Sequence, residues 1–228
     1  MTPKSELVII VDDDFRVREA ISDLLASRNF ESVAFESAAA YLRFGNPSVP
    51  SCLVLDVSLP DLGGLELQST LAPTQHPPIV FISGHGDIPS SVRAMKAGAI
   101  DFLTKPVNEQ DLLQAINTAL ARDRQARHDR AELAELEGRY DFLTPREREV
   151  LPLVVSGLMN KQAAAELCIS EVTLQIHRSK VMQKMEARSV ADLVRMAERL
   201  NIPLAASTCK SLKPWDVKGV SGGQRKRK

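Results

Sequence analysis

The sequence predicts an α/β doubly wound five-stranded parallel sheet followed by a small all-α domain. Two observations carry the first part: short β-branched runs alternate five times with amphipathic helical stretches up to residue 122, and those runs are apolar throughout, as strands covered on both faces are. A third carries the second part. From residue 140 the pattern contains only short helices, opened by Thr144, Asn160, Ser170 and Ser189, residue types that satisfy the free N–H groups of a first turn.

In order, Glu6–Val11 is an apolar strand that runs into Asp12, Asp13 and Asp14, and the helix after it carries Val17, Ala20, Ile21, Leu24 and Leu25 on one face. Ser32–Phe35 is a second strand and Ser37–Phe44 a short helix. Leu53–Leu55 is a third strand, ending on Asp56 where the chain enters a Pro/Gly-rich loop, and the helix after Gly63 and Gly64 reaches Leu71. Pro78–Ile82 is a fourth strand ending at Ser83, Ile88–Ala97 a helix closed by Gly98, and Asp101–Leu103 a fifth strand leading to Lys105 and Pro106.

Right-handed crossovers bring the carboxyl ends of parallel strands to one edge, which is where open α/β sheets bind ligands. Asp12, Asp13, Asp56, Ser83 and Lys105 are thereby gathered in one crevice. Three neighbouring carboxylates repel and raise one another's pKa unless cations neutralise them, and Lys105 supplies one. The remaining ligands are few and all hard oxygens, which suits Mg²⁺ better than Ca²⁺ or a thiol-seeking metal.

These residues stand in the motifs Val11–Asp12–Asp13–Asp14, Leu55–Asp56, Ile82–Ser83–Gly84–His85–Gly86–Asp87 and Ala97–Gly98–Ala99–Ile100–Asp101–Phe102–Leu103–Thr104–Lys105–Pro106. Residues 5–122 resemble the receiver domain of bacterial response regulators, a flavodoxin-like fold. The resemblance implies Asp56 as phospho-acceptor, Asp13 as a direct Mg²⁺ ligand, Asp12 as a ligand through water, and the Ser58 backbone carbonyl as the third protein ligand. It also implies Ser83 and Lys105 as phosphoryl-binding residues, a cis bond before Pro106, and Phe102 as an aromatic switch that turns inward from an outward position. The partner so implied is a sensor histidine kinase whose phosphohistidine is attacked by the Asp56 carboxylate.

Glu109–Leu120 is the last helix of this domain. The run beyond it has no Pro or Gly up to Glu137, and Asp123 with Arg127 and Glu135 with Arg139 stand at i,i+4, so residues 123–139 are expected to form a helical linker. Thr144–Pro145–Arg146–Glu147 is a capping box with Pro at the first helical position, and Gly157 ends that helix. A helix from Asn160, a tight turn at Cys168 and Ile169, and a third helix from Glu171 to about Met185 follow. Two helices joined by a short turn, the second with a polar outward face, form a helix-turn-helix pattern, which a protein-docking bundle would also show.

Leu143–Leu151, Gly157–Lys161 and Ser170–Arg178 are similar to the LuxR-type DNA-binding domain of the FixJ-like branch of response regulators, over residues 140–204. Leu174, Val181 and Met185 are expected in its core, with Thr173, Gln175, Arg178, Ser179 and Lys180 facing outward. Gln and Arg side chains can pair with adenine and guanine edges, Lys161 and Lys184 suit phosphates, and Ser170, which caps this helix, is counted with the DNA-binding residues. The resemblance implies a regulator rather than an enzyme, one that dimerises when phosphorylated and works at promoter DNA with RNA polymerase.

Charge is unevenly spread within a formal net of zero. Residues 1–120 carry 8 Lys+Arg against 15 Asp+Glu, residues 141–204 carry 9 against 8, and residues 205–228 carry 7 against 1. The last stretch reads as a basic, disordered tail, and the near-neutral helical domain is expected to need a dimer for tight binding. No apolar run approaches the ~20 residues of a membrane span and no signal-peptide pattern opens the chain, so a cytoplasmic location is expected. Three scattered cysteines give neither a disulfide framework nor a zinc site. An Mg²⁺-dependent phosphatase with an aspartate nucleophile is the enzymatic alternative; it calls for Asp-x-Asp after a strand, and Ser58 holds the second position.

Overall fold

The computed structural model describes residues 6–84 and 88–203. His85–Gly86–Asp87 of the fourth motif, residue 204 and the basic stretch 205–228 lie outside the described residues. The chain divides into two compact units, Met1–Glu132 and Leu133–Lys228.

In the first unit the elements run β1 (Leu7–Val11), α1 (Phe15–Ser27), β2 (Glu31–Phe35), α2 (Ala38–Phe44), β3 (Ser51–Asp56), α3 (Gly64–Leu71), β4 (Ile79–Ser83), α4 (Ile88–Lys96), β5 (Asp101–Thr104) and α5 (Glu109–Asp141). The strands pair in the order β2-β1-β3-β4-β5, all parallel. The order reverses between β1 and β3, so the crevice of the sheet opens above Asp12 and Asp56.

Side-chain alternation explains the unbroken apolar runs. Val8, Ile10, Cys52, Val54, Val80 and Ile82 point to one face, against Ile21 and Leu25 of α1 and Leu112, Ile116 and Leu120 of α5. Ile9, Val11, Leu53, Leu55, Ile79 and Phe81 point to the other, against Tyr41, Leu67, Leu71 and Ala94. All six residues of β3 are buried, which makes it the strand the unit is built around. Ala20, expected with the apolar face of α1, is exposed instead, because the buried stripe of that helix runs through Ile21 and Leu25.

Helix α5 is one element through Asp141. Within the first unit, Asp123 is buried and its Oδ2 accepts from the Ser51 backbone N–H (2.8 Å) and from Arg127 Nε (2.7 Å). Arg127 also donates to the Pro47 carbonyl at 3.0 Å. The start of the expected linker is thus fastened to the amino end of β3.

The second unit holds the last turns of α5 with α6 (Pro145–Val155), α7 (Asn160–Glu166), α8 (Glu171–Lys184) and α9 (Val190–Arg199). Its core joins Leu136, Leu143, Val150, Leu151, Val154, Ala163, Ala164, Leu174, Val181, Met185, Leu193 and Ala197. The Thr144/Glu147 capping box is present, and Ser170 and Ser189 cap α8 and α9. Asn160 does not cap α7. The cap position is Met159, whose N–H donates to Gln162 Oε1 at 3.0 Å, while the Asn160 side chain is engaged by Arg178.

Candidate functional site

Four strand ends build the acidic crevice. Asp12 follows β1 and is wholly buried, Asp56 ends β3 at 4% exposure, Ser83 ends β4 at 1%, and Lys105 follows β5. The β4–β5 ladder continues into the site, since Lys105 N–H donates to the Ser83 carbonyl at 2.8 Å. The Lys105–Pro106 bond is cis.

Lys105 Nζ lies 2.7 Å from Asp12 Oδ2 and 2.9 Å from Asp56 Oδ2, bridging the two carboxylates. Their other oxygens accept backbone N–H groups, Asp12 Oδ1 from Asp14 (2.9 Å) and Asp56 Oδ1 from Ser58 (3.2 Å). Asp13 is exposed, and one oxygen from each of Asp12, Asp13 and Asp56 lies within 4.8 Å of the others. Asp14 instead caps α1 by accepting from Arg16 N–H at 2.9 Å.

Three carboxylates facing one ammonium leave an excess of negative charge. Burial raises the Asp12 pKa above its ordinary value, and the Asp56 charge adds to this against the opposing hydrogen bonds from Lys105 and Asp14. Burial draws Lys105 down, but hydrogen bonds and attraction from Asp12 and Asp56 outweigh it and its pKa is raised. Lys105 therefore stays cationic at neutral pH. Clustered hard oxygens with surplus charge fit a small divalent cation.

Two neighbours of the site were not legible in the sequence. A Cβ on Gly64 would lie 2.3 Å from the Asp56 carbonyl oxygen, so only glycine lets α3 begin this close to the acceptor strand. Arg18 Nη1 donates to the Asp12 carbonyl at 2.6 Å. The Gly63–Gly64 pair signals a turn but not this approach, and nothing in the sequence singles out Arg18.

Phe102, expected outward, is half-buried. Its ring packs with Phe81 at a centroid distance of 6.1 Å, because the β5 side chain on that face covers the core beneath α4.

In the second unit, Leu174, Val181 and Met185 are buried as expected, and Gln175, Ser179, Lys180 and Lys161 are exposed. Thr173 and Arg178, expected outward, are half-buried. Thr173 Oγ1 shares a 2.8 Å hydrogen bond with Ser170 Oγ, which also caps the helix, and Arg178 Nη1 donates to Asn160 Oδ1 at 2.9 Å. Lys184, expected on a phosphate, sits 2.7 Å from the buried Glu147 carboxylate and 3.1 Å from the Phe142 carbonyl. The capping glutamate of α6 needs a counter-ion, and Lys184 on the inner edge of α8 is the one that reaches it.

A parallel sheet with an acidic crevice at its carboxyl edge, together with a separate helix-turn-helix unit, defines a two-domain regulator. Residues 8–117 match the response regulator receiver domain family, and residues 141–197 match the luxR family of bacterial regulatory proteins. The chain is 51% identical to Nodulation protein W of Bradyrhizobium diazoefficiens, over 86% of this chain and 87% of that one. It is 41% identical to Transcriptional regulatory protein FixJ of Azorhizobium caulinodans, over 86% and 93%. The solved structure of the response regulator StyR superposes with a TM-score of 0.77 at 47% identity, over 86% of this chain and 99% of that one. The chain belongs to the FixJ-like response regulators, with a receiver domain and a LuxR-type DNA-binding domain. Among the described residues no helix is long and apolar enough to cross a membrane.

Proposed function

We propose that Asp56 accepts a phosphoryl group from the phosphohistidine of a sensor histidine kinase, and that the phosphorylated chain dimerises and regulates transcription at promoter DNA. The observation that carries this reading is the Lys105 ammonium held between Asp12 and Asp56, with Asp13 close by. A carboxylate oxygen of Asp56 attacks phosphorus, the P–N bond breaks, and its electron pair leaves on the kinase imidazole. Lys105, already bonded to the attacking carboxylate, balances charge on the transferring group. The buried Asp12 and the exposed Asp13 line the mouth of the site, and with Asp56 and the Ser58 backbone carbonyl they would hold Mg²⁺. The metal supplies electrostatic pull on the phosphoryl oxygens.

Ser83, buried at the end of β4, offers a hydroxyl to the phosphoryl group, and the Phe102 ring is the packed element next in line to respond. The receiver domain spans residues 5–122, the linker 123–139 and the output domain 140–204, with α8 entering the major groove. Gln175, Ser179 and Lys180 are its exposed polar readers, Lys161 a phosphate contact, and RNA polymerase the partner at the promoter.

The test is a footprint on genomic DNA at physiological salt with the full chain, before and after treatment with beryllofluoride. Protection that appears or tightens on treatment is expected. Protection indifferent to treatment at every site would refute phosphorylation control, and no protection at all would refute the DNA-binding output.

A further inference from the structure

The exposed stripe of α8 is Val172, Gln175, Ile176 and Ser179, at i, i+3, i+4 and i+7, and every one of these residues is open to solvent. Leu174, His177, Arg178 and Val181 repeat the same spacing on the inward side, where each is buried or half-buried. Half of the outward stripe is apolar: Val172 is 69% exposed and Ile176 51%. Isolated exposed hydrophobics need no explanation. These two are β-branched, sit one turn apart and flank the exposed Gln175, on a helix where Thr173, Arg178 and Lys184 are committed within the domain while Ser179 and Lys180 stay exposed. Arg178 is held by Asn160, Thr173 by Ser170 and Lys184 by Glu147.

We infer that Val172 and Ile176 are specificity-determining residues that read the 5-methyl groups of thymines in the operator. In the major groove an A·T pair presents the adenine N6 and N7 edge, which a Gln side chain pairs, beside the thymine methyl, which takes an apolar contact. The stripe offers both: Gln175 for the adenine edge, with an apolar side chain one turn before it and another beside it. Val172, Gln175 and Ile176 project from the first half of α8, where the Ser170 cap fixes the helix start and where recognition helices meet base edges. The inference rests on the reading of α8 as the DNA-binding helix.

The test is a binding site selected with the full beryllofluoride-treated chain, resynthesised with 2′-deoxyuridine replacing thymine at one position at a time. This exchange removes a methyl group and leaves the hydrogen-bonding edge intact. Loss of one buried methyl contact is expected to weaken binding about fourfold at two or more positions. Val172→Ala and Ile176→Ala should each abolish the penalty at one of those positions while leaving it at the other; both sites are exposed, so the variants should melt like the parent chain. Binding indifferent to uracil everywhere would overturn the inference, as would penalties unchanged in both variants. A chain that binds specifically but ignores the methyls refutes this inference alone, whereas a chain with no sequence-specific binding refutes the DNA-binding reading and the inference with it.

Discussion

Lys105 and Lys184 each place an ammonium group 2.7 Å from a buried carboxylate, Asp12 in the first unit and Glu147 in the second. Around Lys184 the charges cancel: one carboxylate meets one ammonium, and the Thr144 N–H donates to the same carboxylate at 2.8 Å. Around Lys105 they do not cancel, because Asp12 and Asp56 share the one cation and Asp13 brings a third carboxylate within 4.8 Å. A balanced buried pair holds a helix start in place, and nothing further is wanted of it. An unbalanced cluster is destabilising by itself and signals a charged ligand. Asp123, enclosed by the Ser51 N–H and Arg127, with Arg130 at 3.8 Å, likewise has its negative charge fully met within its own unit.

The largest expected effect is on the unbalanced side. Asp56→Asn keeps a side-chain oxygen for the Ser58 N–H but removes the nucleophile, so labelling by a small phosphodonor or a cognate kinase should fall to background while the thermal unfolding profile stays native-like. Full labelling of the variant would remove Asp56 from the acceptor position.

Next comes Gly64→Ala, which drives a methyl group to 2.3 Å from the Asp56 carbonyl oxygen. Backbone cannot yield as a flexible side chain does, so a loss of about 3 kcal/mol is expected in urea unfolding, at the upper end of overpacking costs. Labelling of Asp56 should fall as well, since the strand end has to move. A variant as stable as the parent would mean that α3 shifts freely and does not fix the acceptor.

Removing the two lysines tests the contrast directly. Lys184→Ala strands Glu147 with one remaining backbone donor and should cost about 2 kcal/mol in the second unit, whether or not Mg²⁺ is present. Lys105→Ala leaves two buried carboxylates uncompensated, and millimolar Mg²⁺ should restore much of the lost melting temperature, because ligand binding to the folded state stabilises it. Equal Mg²⁺ responses in both variants would erase the distinction between the two clusters.

How much of this was readable follows from sequence separation. Asp12, Asp56 and Ser83 were legible because each stands where an apolar run stops, and the Thr144/Glu147 box because its partners are three residues apart. The i,i+4 pairing of Asp123 with Arg127 is local and legible, but Glu147 lies 37 residues from Lys184 and Ser51 lies 72 from Asp123, and no local pattern encodes either contact. The approach of Gly64 to the Asp56 carbonyl was hidden for another reason, since glycine announces freedom of the backbone and not what it makes room for. On α8 the apolar spacing points to Leu174, Val181 and Met185 as core, where they lie, but it also points Thr173 and Arg178 outward, and both are half-buried. They stand at the margins of the buried face, where the surroundings decide the side: Asn160 of the neighbouring α7 takes up Arg178, and the cap of α8 itself, Ser170, takes up Thr173.

The smallest effect is one of acid sensitivity. Burial pushes the Glu147 carboxyl up, but hydrogen bonds from Lys184 and Thr144 outweigh it and its pKa lies below the ordinary 4.5. A carboxyl whose folded pKa is depressed contributes stability that is present above its unfolded value and is lost as pH falls through the folded one. In the parent chain the second unit should therefore be insensitive to Glu147 from neutrality down to about pH 5, and should weaken only below 4.5. In Lys184→Ala the largest lowering influence is gone while burial and the Thr144 hydrogen bonds remain, so the carboxyl holds its proton more readily than in the parent. The stability difference between parent and variant should then shrink as the pH is brought down through the carboxylate range towards 4. Amide hydrogen exchange in α6 of both proteins across that range measures it, and a difference that stays constant or widens on acidification would show that Lys184 does not set the ionisation of Glu147.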